Sequence, residues 1–287
     1  MTQQESYKSY FDEYLKTALQ IDVDLRFWKH FLSTAVQDYQ LENAENTRIS
    51  DVKFCLYNIQ PDGLSKWLHI SKEISSIDIK DLKKHSDNFF TWIMNLSITH
   101  LYNAAELFLL QSIQLKYFPS LPSFNNYKKN ATKIIVEIKN YFNANGKSFD
   151  TTNNRYLIEF IKDKSSDFAS FLQLKVNTDW TTKWGEFYEF FSILRNVITH
   201  HAMIITPDIR NNLNSVAKDA FNHYFIQPPN TTDIDILKSE DEHHFLYFVS
   251  HVNDFVANAV KFIAGETNFA FIGLHKVIIS SSHMESD

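Results

Sequence analysis

Phe89-Phe90-Thr91-Trp92-Ile93-Met94-Asn95-Leu96-Ser97-Ile98-Thr99-His100-Leu101-Tyr102-Asn103-Ala104-Ala105-Glu106-Leu107-Phe108 is the stretch on which the fold turns. Its apolar positions, Phe89, Phe90, Ile93, Leu96, Ile98, Leu101, Ala104, Ala105, Phe108 and then Ile113, recur mostly in steps of three and four. That is the period of an amphipathic helix. The pattern runs from Asp81 to Phe118. Pro119 closes it, because proline disfavours helical backbone at the residue before it. At about 1.5 Å per residue such a helix exceeds ~50 Å unless it kinks.

The same reading extends to both sides. Tyr7, Tyr10, Phe11, Tyr14, Leu15 and Ala18 predict a helix over 5–20, and Leu25 to Tyr39 a second over about 24–41. Glu42 to Arg48 reads as a polar loop. Val52 to Ile59 is short and apolar, open to helix or strand. Pro61-Asp62-Gly63 is a turn, with proline presetting φ and glycine accepting positive φ. Leu64 to Ile74 reads as a short helix. Helices are expected over 127–142, capped by Asn145-Gly146, and over 155–176 as one or two pieces. Others are expected over 182–203, from Pro207 to about 225, and over 240–264 with Gly265 as cap. Gln227 to Asp235, with Pro228-Pro229, reads as a loop. Phe269 to Ile279 carries no assignment, and the Ser-rich tail from Ser280 is expected to be disordered.

Composition agrees. Only 5 Gly and 6 Pro among 287 residues argue against a many-stranded β protein, which needs frequent tight turns. The 44% apolar content, with 25 Phe, is enough for one large core or two modest ones. The expected fold class is all-α, a helical bundle of about eight to ten helices. An N-terminal helical region (1–75), a larger bundle (81–265) and a C-terminal extension (266–287) are its expected parts. The net charge of −6 argues against wrapping extended duplex DNA, which needs a broad basic surface. A single cysteine, Cys55, excludes an intramolecular disulfide and a Cys-rich zinc site, and makes a reducing cytoplasm the default. No run of about 18 apolar residues predicts a membrane span.

Reactive groups concentrate at Phe190-Phe191-Ser192-Ile193-Leu194-Arg195-Asn196-Val197-Ile198-Thr199-His200-His201, the end of an apolar helix. A permanent cation, an amide and two imidazoles that titrate near neutral pH stand together there. RNA can be cleaved by attack of its own 2′-hydroxyl on the adjacent phosphate. That reaction needs a base, a donor for the charge on the phosphate and an acid for the leaving oxygen. An imidazole can supply base or acid, and a guanidinium grips phosphate with a planar fork. At about 100° per residue Asn196 and His200 share a face, but Arg195 and His200 are offset by roughly 140°. Using both requires Arg195 to curl round, the helix to loosen near Thr199, or Arg195 of one copy to meet His200 of another. The plainer reading pairs Arg195 with Glu189 or Glu186 and has His200-His201 cap the helix C-terminus, where cations are favoured.

Other clusters carry less. Asp241-Glu242-His243-His244 reads as a charged helix N-terminus rather than a metal site, because adjacent residues point in different directions. His100, with Asn95 and Glu106, reads as a core histidine or as lining of the same site. Trp180, Trp184 and Tyr188 read as core before base-stacking platform. Lys128, Lys129 and Lys133 read as a solvated face. Ser97-Ile98-Thr99-His100 echoes Val197-Ile198-Thr199-His200 over four residues, too short to imply a repeat.

Arg195, the polar Asn196 after it and His200 at the end of a late helix resemble the motif of the HEPN superfamily of ribonuclease and nucleotide-associated domains. His100-Leu101-Tyr102-Asn103-Ala104-Ala105-Glu106-Leu107-Phe108-Leu109 is similar to that family's first long helix. The resemblance covers about 81–265. It implies a compact bundle, a homodimer or pseudo-dimer, and RNA cleavage without metal or cofactor, in many members as a toxin or in defence against phage. By resemblance Arg195 is the phosphate binder and His200 the acid–base residue. Asn196 is the polar partner, His201 extends the motif, and Glu106 is a supporting residue. The expected function is therefore an endoribonuclease, a toxin or abortive-infection effector, with an antitoxin or regulatory protein as a further partner. The alternative is a non-catalytic helical module that binds a protein or nucleotide.

Overall fold

The structure, a computed structural model of the chain, describes residues 3–42, 48–49, 56–59, 65–68, 77–121, 127–227 and 234–265. Among these the chain forms eight α-helices: α1 (Gln3–Glu42), α2 (Leu82–Tyr117), α3 (Tyr127–Ala144), α4 (Arg155–Lys164), α5 (Ser166–Phe171), α6 (Trp184–His200), α7 (Pro207–Tyr224) and α8 (Glu242–Ala264). Six short strands pair two by two, all antiparallel. β1 (Arg48–Ile49) pairs with β4 (Ile77–Asp78), β2 (Leu56–Ile59) with β3 (Ser65–Leu68), and β5 (Ile204–Ile205) with β6 (Asp235–Ile236). The fold is all-α.

Two expectations fail locally. The helices expected over 5–20 and 24–41 are one continuous helix of 40 residues. Ile21-Asp22-Val23 between them holds no proline or glycine, so nothing interrupts the ladder. Ser65–Leu68, read as helix, is a strand whose residues pair with β2 in the register Leu56↔Leu68 to Ile59↔Ser65. Leu56-Tyr57-Asn58-Ile59 and Ser65-Lys66-Trp67-Leu68 are too short for a stable helix, and together they satisfy each other's backbone groups as a hairpin. The Pro61-Asp62-Gly63 turn, Phe269–Ile279 and the tail lie outside the described residues.

The chain divides into two compact units, Met1–Asp22 with Met94–Asp287, and Val23–Ile93. Both long helices run across a boundary between these units, α1 after Asp22 and α2 after Ile93, whereas the parts expected from the sequence meet at 75–81. In α1, Tyr7, Phe11, Tyr14, Ala18, Ile21 and Leu25 are buried at alternating steps of four and three, and no residue beyond Leu25 in that helix is buried. In α2 the buried residues begin at Met94. Each helix therefore has an apolar face that is covered over only part of its length.

The core of the larger unit lies among α2, α6 and α8. Tyr102 meets Phe191 edge-on at 4.9 Å, Phe191 meets Phe248 at 5.5 Å, and Tyr188 stacks on Phe255 at 4.9 Å. The start of α1 joins it, with Phe11 and Tyr14 against Phe108 and the Tyr14 hydroxyl bonded to Asn253 Oδ1. Edge-to-face pairs of this kind contribute about 0.5–1.5 kcal/mol each beyond the area they bury.

The helix ends follow their local chemistry. Ser165 divides 155–171 into α4 and α5 because its hydroxyl accepts from the Phe168 N–H at 3.2 Å and caps the second piece. Thr206 caps α7 ahead of Pro207, and Asp241 caps α8 by accepting from the His244 N–H at 2.7 Å. Gly265 ends α8 at φ +73°. None of the described helices is long and apolar enough to cross a membrane.

Candidate functional site

α6 begins at Trp184, where the Glu186 carboxylate accepts from the Lys183 N–H at 2.8 Å. Phe187, Phe190, Phe191 and Leu194 go into the core. The adjacent face, Ser192, Arg195 and Asn196, turns toward α2 and toward a short helical turn at Thr152–Asn154 just before α4. A polar cavity of about 180 Å³ lies there, lined by Tyr102 and Glu106 of α2, Asn153 and Asn154 of the turn, and Arg195 and Asn196 of α6.

Hydrogen bonds tie these walls together. Arg195 Nη1 donates to Asn196 Oδ1 at 3.0 Å, and Asn196 Nδ2 donates to Asn153 Oδ1 at 2.9 Å. Asn154 Nδ2 donates to the Tyr102 hydroxyl at 2.7 Å and to Glu106 Oε1 at 2.9 Å. The Tyr102 hydroxyl also bonds Ser192 Oγ at 3.1 Å. The Arg195 guanidinium lies 6.0 Å from the centre of the Tyr102 ring.

Arg195 is half-buried, and its Nε has no hydrogen-bond partner. No described carboxylate forms an ion pair with it. Glu189 instead pairs with Arg155, and Glu186 is used by the Lys183 N–H, so the pairing expected of Arg195 is not made. Elsewhere in this unit Lys147 pairs with Asp163 at 2.6 Å and Lys162 with Glu159 at 3.2 Å. Arg195 thus carries a charge with no ion-pair partner among the described residues. Burial pushes the Glu106 carboxyl above its ordinary value, while the Arg195 charge and the Asn154 amide pull it partly back. Burial likewise raises the Tyr102 phenol.

The structure brings Arg195, Asn196 and Glu106 to one cavity and leaves His200 and His201 outside it. His200 is the last residue of α6 and is exposed, and His201 follows as its C-cap. The calculated offset between Arg195 and His200 is therefore kept: one points into the cavity and the other into solvent. The helix stays regular through His200, and the His201 N–H donates to the Val197 carbonyl at 3.0 Å, so the ladder stays closed where loosening had been one option. Beyond the helix, Ala202 and Met203 hold positive φ of 50° and 68°.

The other candidates separate cleanly. His100 is exposed, neither core nor cavity, and Asn95 is buried with its Nδ2 on the Leu237 carbonyl at 2.7 Å. Trp184 and Tyr188 are core, and Trp180 packs on Tyr224 and His223. Asp241 is the α8 cap, and among the described residues no group of three His, Cys, Asp or Glu can hold a metal ion.

Sequence reading missed Asn153, Asn154, Tyr102 and Ser192. Tyr102 and Glu106 stand four apart on one helix face, and two adjacent asparagines ahead of a helix mark a turn that accepts left-handed backbone. Those were the available signals. Comparison with family models, with curated proteins and with solved structures finds no match.

Proposed function

We propose that this chain is a metal-independent endoribonuclease of the HEPN kind, acting as a toxin or abortive-infection effector. The observation that carries the reading is the half-buried Arg195 guanidinium, held by Asn196 at a polar cavity with no ion-pair partner among the described residues. A site built this way can take a phosphate as a planar fork takes two oxygens. In the reaction the 2′-oxygen bonds phosphorus as its proton passes to a base. The bond to the 5′-oxygen breaks as that oxygen takes a proton from an acid. The products are a 2′,3′-cyclic phosphate and a 5′-hydroxyl. His200, exposed at the end of the same helix, is the imidazole that serves as base or acid. Since it points away from its own Arg195, it works on a phosphate held by a second copy, in a homodimer with two such composite sites.

One observation favours a second reading. The cavity is complete without His200, as a site of amides, a phenol, a carboxyl and a guanidinium. That suits a non-catalytic module that binds a nucleotide or a protein's anionic group.

RNA cleavage in excess EDTA separates the two. The wild type is expected to cleave and leave cyclic or 3′-phosphate ends, and His200→Ala and Arg195→Ala to be at least about 100-fold slower while still folded. Cleavage by His200→Ala at the wild-type rate sinks the catalytic assignment. Binding of an oligonucleotide without cleavage, lost in Arg195→Ala alone, supports the second reading.

A further inference from the structure

Asn153 and Asn154 both hold left-handed backbone, at φ 49° and 52°. For residues with a Cβ that conformation is unfavourable, and glycine adopts it freely. Asparagine tolerates it better than most, but a chain that needed only the turn would be served as well by glycine. Here both amide side chains are used, and each grips a different wall of the cavity.

Asn153 acts on α6. Its Oδ1 accepts from Asn196 Nδ2, which decides the direction of the Asn196 amide: with nitrogen toward Asn153, the Oδ1 of Asn196 faces Arg195 and accepts from Nη1. Rotating that amide by half a turn would place an NH2 group against the guanidinium and leave Nη1 without this acceptor. Asn154 acts on α2. Its Nδ2 donates to Tyr102 and to Glu106 Oε1, which holds a carboxylate that lies in the field of Arg195 but makes no ion pair with it.

We propose that the Asn153-Asn154 turn is a positioning device for the anion-binding arginine. Asn153 sets the guanidinium through Asn196, and Asn154 keeps Glu106 from swinging across to neutralise it. The proposal rests on the reading of Arg195 as the phosphate-binding group, and adds two residues that touch no reacting atom themselves.

Asn153→Gly is the informative variant, because it keeps the left-handed turn and removes only the amide. If the turn matters for its backbone alone, this variant is neutral in every respect. The positioning role predicts instead a melting temperature equal to or above wild type with a disturbed Arg195. The chain has five arginines, so the ¹H–¹⁵N signals of their Nε–H groups are few, and that of Arg195 is assigned by its loss in Arg195→Lys. The Arg195 Nε–H signal is expected to shift and to exchange with water at least about 10-fold faster in Asn153→Gly. The same change is expected in Asn196→Ala, with no further change in the double variant, because the two lie in one chain of bonds. Cleavage, where assayed, should lose kcat by about 10- to 100-fold with a smaller change in KM, the mark of misplacement rather than lost binding. An Arg195 signal in Asn153→Gly that coincides with wild type in position and exchange overturns the proposal. The nuclease reading fails separately, by undiminished cleavage in Arg195→Ala, whatever the Nε–H signal shows.

Discussion

The Tyr102 hydroxyl is the busiest atom of the cavity, and removing it gives the sharpest test of the hydrogen-bond network. Tyr102→Phe keeps the ring, so the edge contact with Phe191 at 4.9 Å survives and the change isolates the oxygen. That oxygen accepts from Asn154 Nδ2 at 2.7 Å and bonds Ser192 Oγ at 3.1 Å; the Tyr188 hydroxyl at 3.5 Å is too far to count for much. Asn154 keeps its second acceptor, Glu106, so its loss is an ordinary net hydrogen bond of about 1 kcal/mol. Ser192 is different. It is buried, the Tyr102 hydroxyl is its hydrogen-bond partner, and an orphaned buried hydroxyl costs about 1–3 kcal/mol. The expected total is about 2–4 kcal/mol. For a unit of this size that corresponds to a fall in melting temperature of about 4–16 °C. Urea denaturation and calorimetry measure it. The network adds a finer expectation: Tyr102→Phe with Ser192→Ala should be less destabilised than the sum of the single variants, because the double change leaves no orphan. A loss under about 0.5 kcal/mol for Tyr102→Phe, or strict additivity in the double variant, refutes the reasoning.

Glu106→Gln tests the buried carboxyl by pH. A folded value raised by burial means that the folded state prefers the protonated acid; this stability is present below the ordinary glutamate value of 4.5 and is lost as pH rises through the folded value. Glu106→Gln is expected to gain on wild type in melting temperature as pH rises from 4.5, then to hold a constant lead, with its amide oxygen still accepting from Asn154; a lead that shrinks as pH rises contradicts the burial argument. Asp241→Ala removes the α8 cap and should cost about 1 kcal/mol by denaturant titration, while Asp241→Asn, which can still accept from the His244 N–H, should cost less than half as much. Equal costs for the two would mean that charge rather than capping is what Asp241 contributes.

What the sequence disclosed and what it withheld divide along one physical line. Periodicity and punctuation are local, and they located α2 by its apolar steps and Pro119, α7 by Pro207 and α8 by Gly265. They also placed Arg195, Asn196 and His200 on one late helix, with an angular offset that the structure keeps. The errors arose where a local signal had two outcomes. An uninterrupted polar-apolar run at 20–24 permits a continuous helix as readily as a break. A four-residue segment of mixed polarity is decided by its strand partner, as Ser65–Leu68 is by Leu56–Ile59. The end of the covered face in α1 after Leu25 depends on what packs there, and nothing in Phe27, Trp28 or Phe31 announces that each is more than two-fifths exposed. The cavity was hidden for the same reason. Its walls come from positions 102–106, 153–154 and 192–196, and only tertiary packing brings Asn153 to Asn196 across 43 residues of chain. A motif read along α6 alone finds Arg195, Asn196 and His200 but not Asn153 and Asn154, which come from another part of the chain. That is why Arg195 and His200 look like one site in the sequence, whereas in the structure Arg195 belongs to a cavity shared with α2 and the Asn153-Asn154 turn, and His200 belongs to the surface.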